Sequence, residues 1–247
     1  MTAANHPVIP LIRLSTIDLT VRPEPLALGK QVTQAVEAHW VMETARNPTL
    51  FNGSAFLFDH FEIDADAASL TAQGALTDYA TFLYWREHRQ QLAFHHTFPV
   101  GAIVTADDRL VIGRMSEHTA NAGRHYPPAG SFDAGDIIVG ADGIQRLDAL
   151  GNIARETGEE IGLDFSSVTP DPDWLLMPST RNAYAIIRVL RTQSTSGELA
   201  PALEAHIKAD LHQELAALLY VDFNTRFAEG TASPYVNHLL AYLATKG

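Results

Sequence analysis

The residues of this chain whose types and spacing could do chemistry are three glutamates and an arginine in the stretch 149–163 (ALGNIARETGEEIGL). On a helix, Glu156, Glu159 and Glu160 stand at i, i+3 and i+4 and project from one face. Carboxylates crowded in this way repel, and a surface helix gains nothing from the arrangement. A divalent cation reverses the sign of that problem, because hard oxygen ligands are what Mg²⁺ prefers. Arg155 can orient one carboxylate through a bidentate pair. The competing reading is a solvated acidic face. It fits poorly, since a helix C-terminus favours cations over three glutamates.

The elements that must position these groups read as follows. Leu147, Leu150, Ala154, Thr157 and Ile161 form an apolar stripe, so residues 147–163 are expected as a helix with that stripe on a core. Residues 11–22 read as a strand ended by Pro23 and Pro25. Residues 26–46 carry Val32, Val36, Trp40 and Thr44 at four-residue spacing and read as a helix that stops at Asn47-Pro48. Residues 55–63 and 69–75 are expected strands, and 76–90 a helix opened by Thr77 and Asp78. A second pattern begins near Phe94. Strands at 100–105 and 110–115 flank a turn at 106–109, and a polar loop covers 116–135. Strands are expected at 174–177 and 183–189, and helices at 203–218 and 235–244. The fold class is mixed α/β, with a boundary near residue 92 that separates an N-terminal α/β region, 1–92, from a second domain, 93–247.

Composition narrows the function. Of 247 residues, 46% are hydrophobic and 19% charged, which supports a substantial core and excludes wholesale disorder, collagen repeats and coiled coil. Seventeen basic residues against 29 acidic ones give a net charge of -12. No nucleic-acid partner is expected, since phosphate neutralisation needs a Lys/Arg surplus. A compact anionic metabolite fits if a metal ion offsets the repulsion. The absence of cysteine excludes disulfides, thiolate nucleophiles and Cys-ligated zinc. The start of the sequence lacks a signal-peptide layout and no apolar run is long enough for a membrane span, so a cytoplasmic protein with no membrane partner is expected.

Eleven histidines invite a metal reading, above all His95-His96 and His118 with His125, yet none shows H-E-x-x-H spacing. His95 and His96 sit near a strand start, where neighbours point to opposite faces. His125 and Tyr126 precede a loop and are candidates to touch a substrate. There is no G-x-S-x-G, P-loop or G-x-G-x-x-G. Asp64 and Asp66 read as a turn rather than a calcium loop.

The segment 155–163 (RETGEEIGL) resembles the second half of a Nudix box, R-E-U-x-E-E-x-G-U with U aliphatic. Upstream, 128–136 (PAGSFDAGD) resembles the first half, a glycine followed by five residues and an acid. Thr157 stands where the family has an aliphatic residue and Asp136 where it has Glu. Eighteen residues separate Asp136 from Arg155, eleven more than the family pattern, so residues near 137–148, with an Asp142-Gly143 turn, must loop out. The resemblance spans about residues 94–225 and implies a Nudix fold, a mixed sheet between helices, here with an N-terminal α/β extension. It also implies hydrolysis of a nucleoside diphosphate linked to another moiety. By that resemblance Glu156, Glu159 and Glu160 hold Mg²⁺, or Mn²⁺ in its place, with the carbonyl of Ala129. Arg155 braces the cluster. Glu214 acts as a later glutamate of the site, with Glu204 as runner-up. Arg114, Tyr126 and Asp136 lie at the substrate. Dimers are frequent in the wider family, which makes a homodimer a further expectation.

Two N-terminal stretches, 47–53 (NPTLFNG) and 76–82 (LTDYATF), are similar to the UDP-glucose pyrophosphatase branch of Nudix proteins and its plant relatives. That similarity implies a UDP-hexose cleaved to UMP and a hexose 1-phosphate. ADP-ribose, a dinucleotide, a coenzyme A derivative, or a Nudix-fold nucleotide-binding domain without catalysis are the alternatives. Phe51, Tyr79, Phe82 and Trp85 read as core residues rather than base-stacking ones.

Overall fold

The computed structural model describes residues 11–89, 91–119, 121–180, 182–211 and 213–246. Two short strands, Ile12–Leu14 (β1) and Thr16–Val21 (β2), part at Ser15 and enter different sheets. Helix Lys30–Arg46 (α1) precedes the long hairpin of Ser54–Asp64 (β3) and Ser69–Asp78 (β4), which runs directly into helix Tyr79–Glu87 (α2). Then come His96–Val104 (β5), Arg109–Met115 (β6) and the short strand His125–Tyr126 (β7). A 3-10 turn at Ala134–Asp136 leads to a hairpin, Ile137–Val139 (β8) and Gln145–Leu147 (β9), and then to helix Ala149–Ile161 (α3). Val168–Thr180 (β10), Ala183–Thr192 (β11), Ser196–Ala209 (α4), Leu215–Asp222 (β12) and Val236–Ala244 (α5) complete the order.

The strands form two mixed sheets. The larger runs β1-β10-β11-β5-β6-β12, with β7 beside β6, and its one parallel pair is β11 with β5. The smaller runs β3-β4-β2-β9-β8, with β2 parallel to β4. Both sheets draw strands from either side of residue 92: β1 pairs with β10, and β9 pairs with β2. β5 is apolar and buried along almost its whole length, as a central strand covered on both faces must be. One face of the larger sheet packs Ile103, Val111 and Met115 against Ile153 and Ile161 of α3, and this cluster continues into Leu19, Phe56 and Leu70 of the smaller sheet. The other face packs Val100, Ala102 and Ile112 against Leu239, Leu240 and Leu243 of α5.

Several elements differ from the sequence reading. Residues 76–78 continue β4, paired with Ser54–Phe56, and the helix starts only at Tyr79 because Asp78 caps it by accepting the Thr81 N–H at 2.9 Å. The expected helix at 203–218 is split. α4 begins earlier, at a Thr195/Glu198 capping box, and the run Leu215–Val221 is a strand paired with β6. On α1 the buried residues are Val36 and His39, with Trp40 half-buried and Thr44 at the surface margin. Along α3 the core stripe is Ala149, Ile153, Thr157 and Ile161, whereas Leu150 and Ala154 are half-buried. Trp85 is fully buried, but Phe51 is 82% exposed on the connection from α1 to β3, where its ring lies over Gly53. Residues 137–148 loop out as the β8–β9 hairpin, turning at Asp142 and Gly143, the latter at φ +78°.

α3 approaches β5 closely at Gly101. A Cβ there would sit 2.9 Å from the Thr157 methyl and 3.0 Å from an Ile153 methyl. Gly101→Ala is therefore expected to lower the unfolding free energy by about 1–3 kcal/mol, read from urea denaturation. An unchanged midpoint would contradict the contact.

Candidate active site

α3 owes its ends to two local signals. Asp148 caps the start by accepting the Gly151 N–H at 2.9 Å. Gly162, at φ +70°, ends the helix with its N–H on the Gly158 carbonyl, and the Leu163 N–H reaches the Thr157 carbonyl. His206 of α4 covers this end, its Nε2 2.9 Å from the Glu159 carbonyl. Thr157 fits an apolar position because its hydroxyl donates to the Ile153 carbonyl at 2.8 Å and only its methyl meets β5. Glu156 and Glu160 each precede a residue of the buried line and leave on one flank of it. Glu159 leaves on the outer side, with its side chain 63% exposed against 15% for Glu156.

Arg155 links the acidic groups. Its guanidinium is 2.7 Å from Glu156, 3.3 Å from Glu159 and 3.3 Å from Asp136, with Asp133 at 3.9 Å. Asp136 is buried and accepts the Asp133 N–H at 2.9 Å and the Asn152 side-chain amide at 2.9 Å. The inserted hairpin explains how Asp136 gets there despite the long spacing. Ile137 pairs with Leu147, and the Asp148 N–H donates to the Asp136 carbonyl at 2.9 Å, so the insertion returns the chain to where it left. Asp136 thus meets Arg155 and Asn152.

Glu160 faces the other groups. Its carboxyl is enclosed and hydrogen-bonded by the Ala129 N–H. Burial first, and then the charges of Glu156 and Glu214, push that carboxyl well above the usual carboxylate range. Burial also raises Glu156, against the pull of Arg155. Tyr126 is pushed up to about 12 by burial, with Glu160 and Glu214 acting the same way. Tyr235, fully buried at the start of α5, is driven well above its ordinary value by burial, with Tyr126 and Glu160 adding to it. Gly130 lies against Glu156: a Cβ at this position would fall 2.1 Å from the carboxylate. Only glycine lets Glu156 occupy this place.

Glu156, Glu160, Glu214, Tyr126 and the backbone of Ala129 therefore gather, with Arg155, Glu159 and Asp136 on the outer side. Glu214 immediately precedes β12, and its carbonyl accepts the Ser116 N–H at 2.8 Å; the preceding His212 lies outside the described residues. Glu204 instead lies near Lys208 and lines a cavity of about 540 Å³ between α4 and β12. Arg114 is not brought to the carboxylates. It sits opposite His125 in the ladder, next to the Gly113–Tyr126 rung, and the pleat turns it to the opposite face from Tyr126. His95 stacks on Phe61 and His96 packs beside Phe82, so these two histidines are separated. Sequence reasoning missed Asn152, Asp133 and Tyr235. Asn152 had a signal, standing three residues before Arg155 on the same helix.

The donor set beside α3 is all oxygen, which suits a hard divalent cation. The three α3 carboxylates do not draw within 4.8 Å of one another. Among the described residues the group of three that does so is His39, Glu43 and Glu87, elsewhere in the fold.

No protein-family model matches the chain, and no curated protein does. Among solved structures the chain is similar to a MutT protein from Methanosarcina mazei Go1, at 16% identity and a TM-score of 0.38, covering 62% of this chain and 94% of that one. It is also similar to a Nudix hydrolase from Alicyclobacillus acidocaldarius (16% identity, TM-score 0.41, 61% of this chain and 91% of that one). An Ap4A hydrolase from C. elegans is similar at 14% identity and a TM-score of 0.38, over 61% of this chain and 98% of that one.

The electrostatics of Glu160 predict a pH signature. Because burial raises its pKa, the folded chain holds this proton more tightly than the unfolded one, and stability is lost as pH rises from 4.5 through the folded value. Glutamine carries no such loss. In metal-free buffer Glu160→Gln is expected to melt a few degrees above wild type near neutral pH, with the difference vanishing below pH 4.5. A lower melting temperature for the variant at neutral pH would sink this account.

Proposed function

We propose that this chain is a divalent-cation-dependent Nudix hydrolase that cleaves the pyrophosphate of a nucleoside diphosphate joined to another moiety. A nucleotide sugar such as UDP-glucose is the proposed substrate, giving a nucleoside monophosphate and a sugar 1-phosphate. The observation that carries the reading is the enclosed pair Glu156 and Glu160, with Glu214 facing them, on a helix that reads R-E-x-x-E-E-x-G. Among the described residues Arg155 is the one basic group paired with any of the three. Negative charge buried to this degree is costly unless a cation completes it.

The oxygens that would hold Mg²⁺ or Mn²⁺ are those of Glu156 and Glu160, with Glu159 from the outer side and the Ala129 carbonyl. A bound cation of this kind offsets phosphate charge and lowers the pKa of water. Arg155 holds Glu156 in position through their 2.7 Å pair, and Asp136 with Asn152 holds Arg155. Glu214 is assigned the proton of the attacking water. Tyr126, whose phenol stays protonated at neutral pH, is assigned a hydrogen bond to a phosphate oxygen.

Incubation with UDP-glucose, ADP-ribose and a dinucleotide, each with and without Mg²⁺, tests the reading by chromatography of the products. Mg²⁺-dependent UMP and glucose 1-phosphate are expected. Products from another substrate alone would discard the nucleotide sugar, and no hydrolysis of any would overturn the enzymatic reading. Glu159→Gln and Glu160→Gln are each expected to lower turnover by about 10²–10³-fold, and wild-type rates in both would refute the assignment. Gly130→Ala should behave differently from a core substitution. The atoms nearest its Cβ belong to the flexible side chain of Glu156, so activity is expected to fall by at least about tenfold while stability shifts by under about 1 kcal/mol.

A further inference from the structure

Far from α3 in sequence, α1 and α2 bring together a histidine and two carboxylates. His39 and Glu43 stand four residues apart on one face of α1, and Glu87 ends α2. One ligand atom from each lies within 4.8 Å of the other two. His39 Nε2 is 3.0 Å from a Glu87 oxygen. The histidine is only 5% exposed, and its ring is fixed edge-on against Tyr84 at 5.6 Å and His88 at 6.1 Å. Its other nitrogen, Nδ1, is buried without a hydrogen-bond partner among the described residues, so Glu87 is the one protein group that engages a nitrogen of this imidazole. Glu43 pairs with Arg46 through one oxygen, at 2.6 Å, which leaves the second oxygen available. Glu87 is about half exposed and leaves the group open to solvent on one side.

We propose that His39, Glu43 and Glu87 form a binding site for a transition-metal cation, with Zn²⁺ as its ligand. The donor set selects the ion. Imidazole nitrogen suits Zn²⁺ and is poorly suited to Mg²⁺, and two carboxylates supply the charge. Three protein ligands leave one position of a tetrahedron for water. The placement also gives the cation a structural task. α1 buries only Val36 and His39 along its 17 residues, so its apolar attachment to the rest of the protein is slight. A cation shared between α1 and α2 joins the two helices where packing is thin.

The test titrates Zn²⁺ into the full-length chain by calorimetry, for wild type and for His39→Gln, Glu87→Gln and Glu160→Gln. The last variant removes an acidic group from α3 and controls for binding there. One Zn²⁺ site is expected to weaken by about tenfold or more in both His39→Gln and Glu87→Gln and to persist in Glu160→Gln. Zn²⁺ should raise the melting temperature of wild type and of Glu160→Gln more than that of the other two variants. Wild-type Zn²⁺ affinity in Glu87→Gln, whose half-exposed position does not endanger folding, overturns the proposal. So does a loss of binding confined to Glu160→Gln.

Discussion

The acidic end of α3 depends on how one guanidinium divides itself among carboxylates. Arg155 touches Glu156, Glu159 and Asp136, and each contact settles a different matter. Its bond to Asp136 ties the helix to the 3-10 turn before the inserted hairpin. Its bond to Glu156 keeps that side chain against Gly130, and its bond to Glu159 draws the third carboxylate outward, away from Glu160. The result is asymmetric: the guanidinium offsets charge at Glu156, Glu159 and Asp136, whereas the Glu160 carboxyl is enclosed beside Glu156 and Glu214. That enclosure of crowded carboxyls, rather than the count of glutamates, is what raises the pKa of Glu160 and Glu156.

The helix itself was legible in sequence because its signals are local: a capping aspartate, a left-handed glycine at the end and charges at helical spacing. Its core face was legible in part: Leu147, Thr157 and Ile161 are buried as expected, but Leu150 and Ala154 are as apolar as Ala149 and Ile153, and the closeness of β5 at Gly101 decides between them. The strand at Leu215 was hidden because an apolar run fits a helix as well as a strand until β6 offers it a partner. The capping box at Thr195 was readable and would have set α4 correctly. Nothing in the sequence indicated that His39 is buried. A single histidine has no period, and its burial depends on Tyr84 and His88 arriving from α2.

The two N-terminal stretches 47–53 and 76–82 meet in space. Asn52 accepts the Ala80 N–H at 2.8 Å and donates to Asp78 at 3.1 Å, so the first stretch helps cap the helix that opens in the second. Their side-chain pattern is therefore explained by the geometry of the α1–β3 connection against α2. Phe51 is the exception: it makes no such contact and stands in solvent.

The exchange of strands between the sheets bears on how the chain could be divided. A cut near residue 92 would leave the first half without β8 and β9 at the edge of its sheet, and the second without β1 beside β10. It would also expose Leu14, Leu19 and Phe56 on one fragment and Ile103 and Ile153 on the other, all members of a single cluster. Fragments of this kind present open strand edges next to bare apolar surface, the combination that favours aggregation over independent folding. The chain is stitched across residue 92 by two strand pairings, β1 with β10 and β2 with β9, and by one shared apolar cluster.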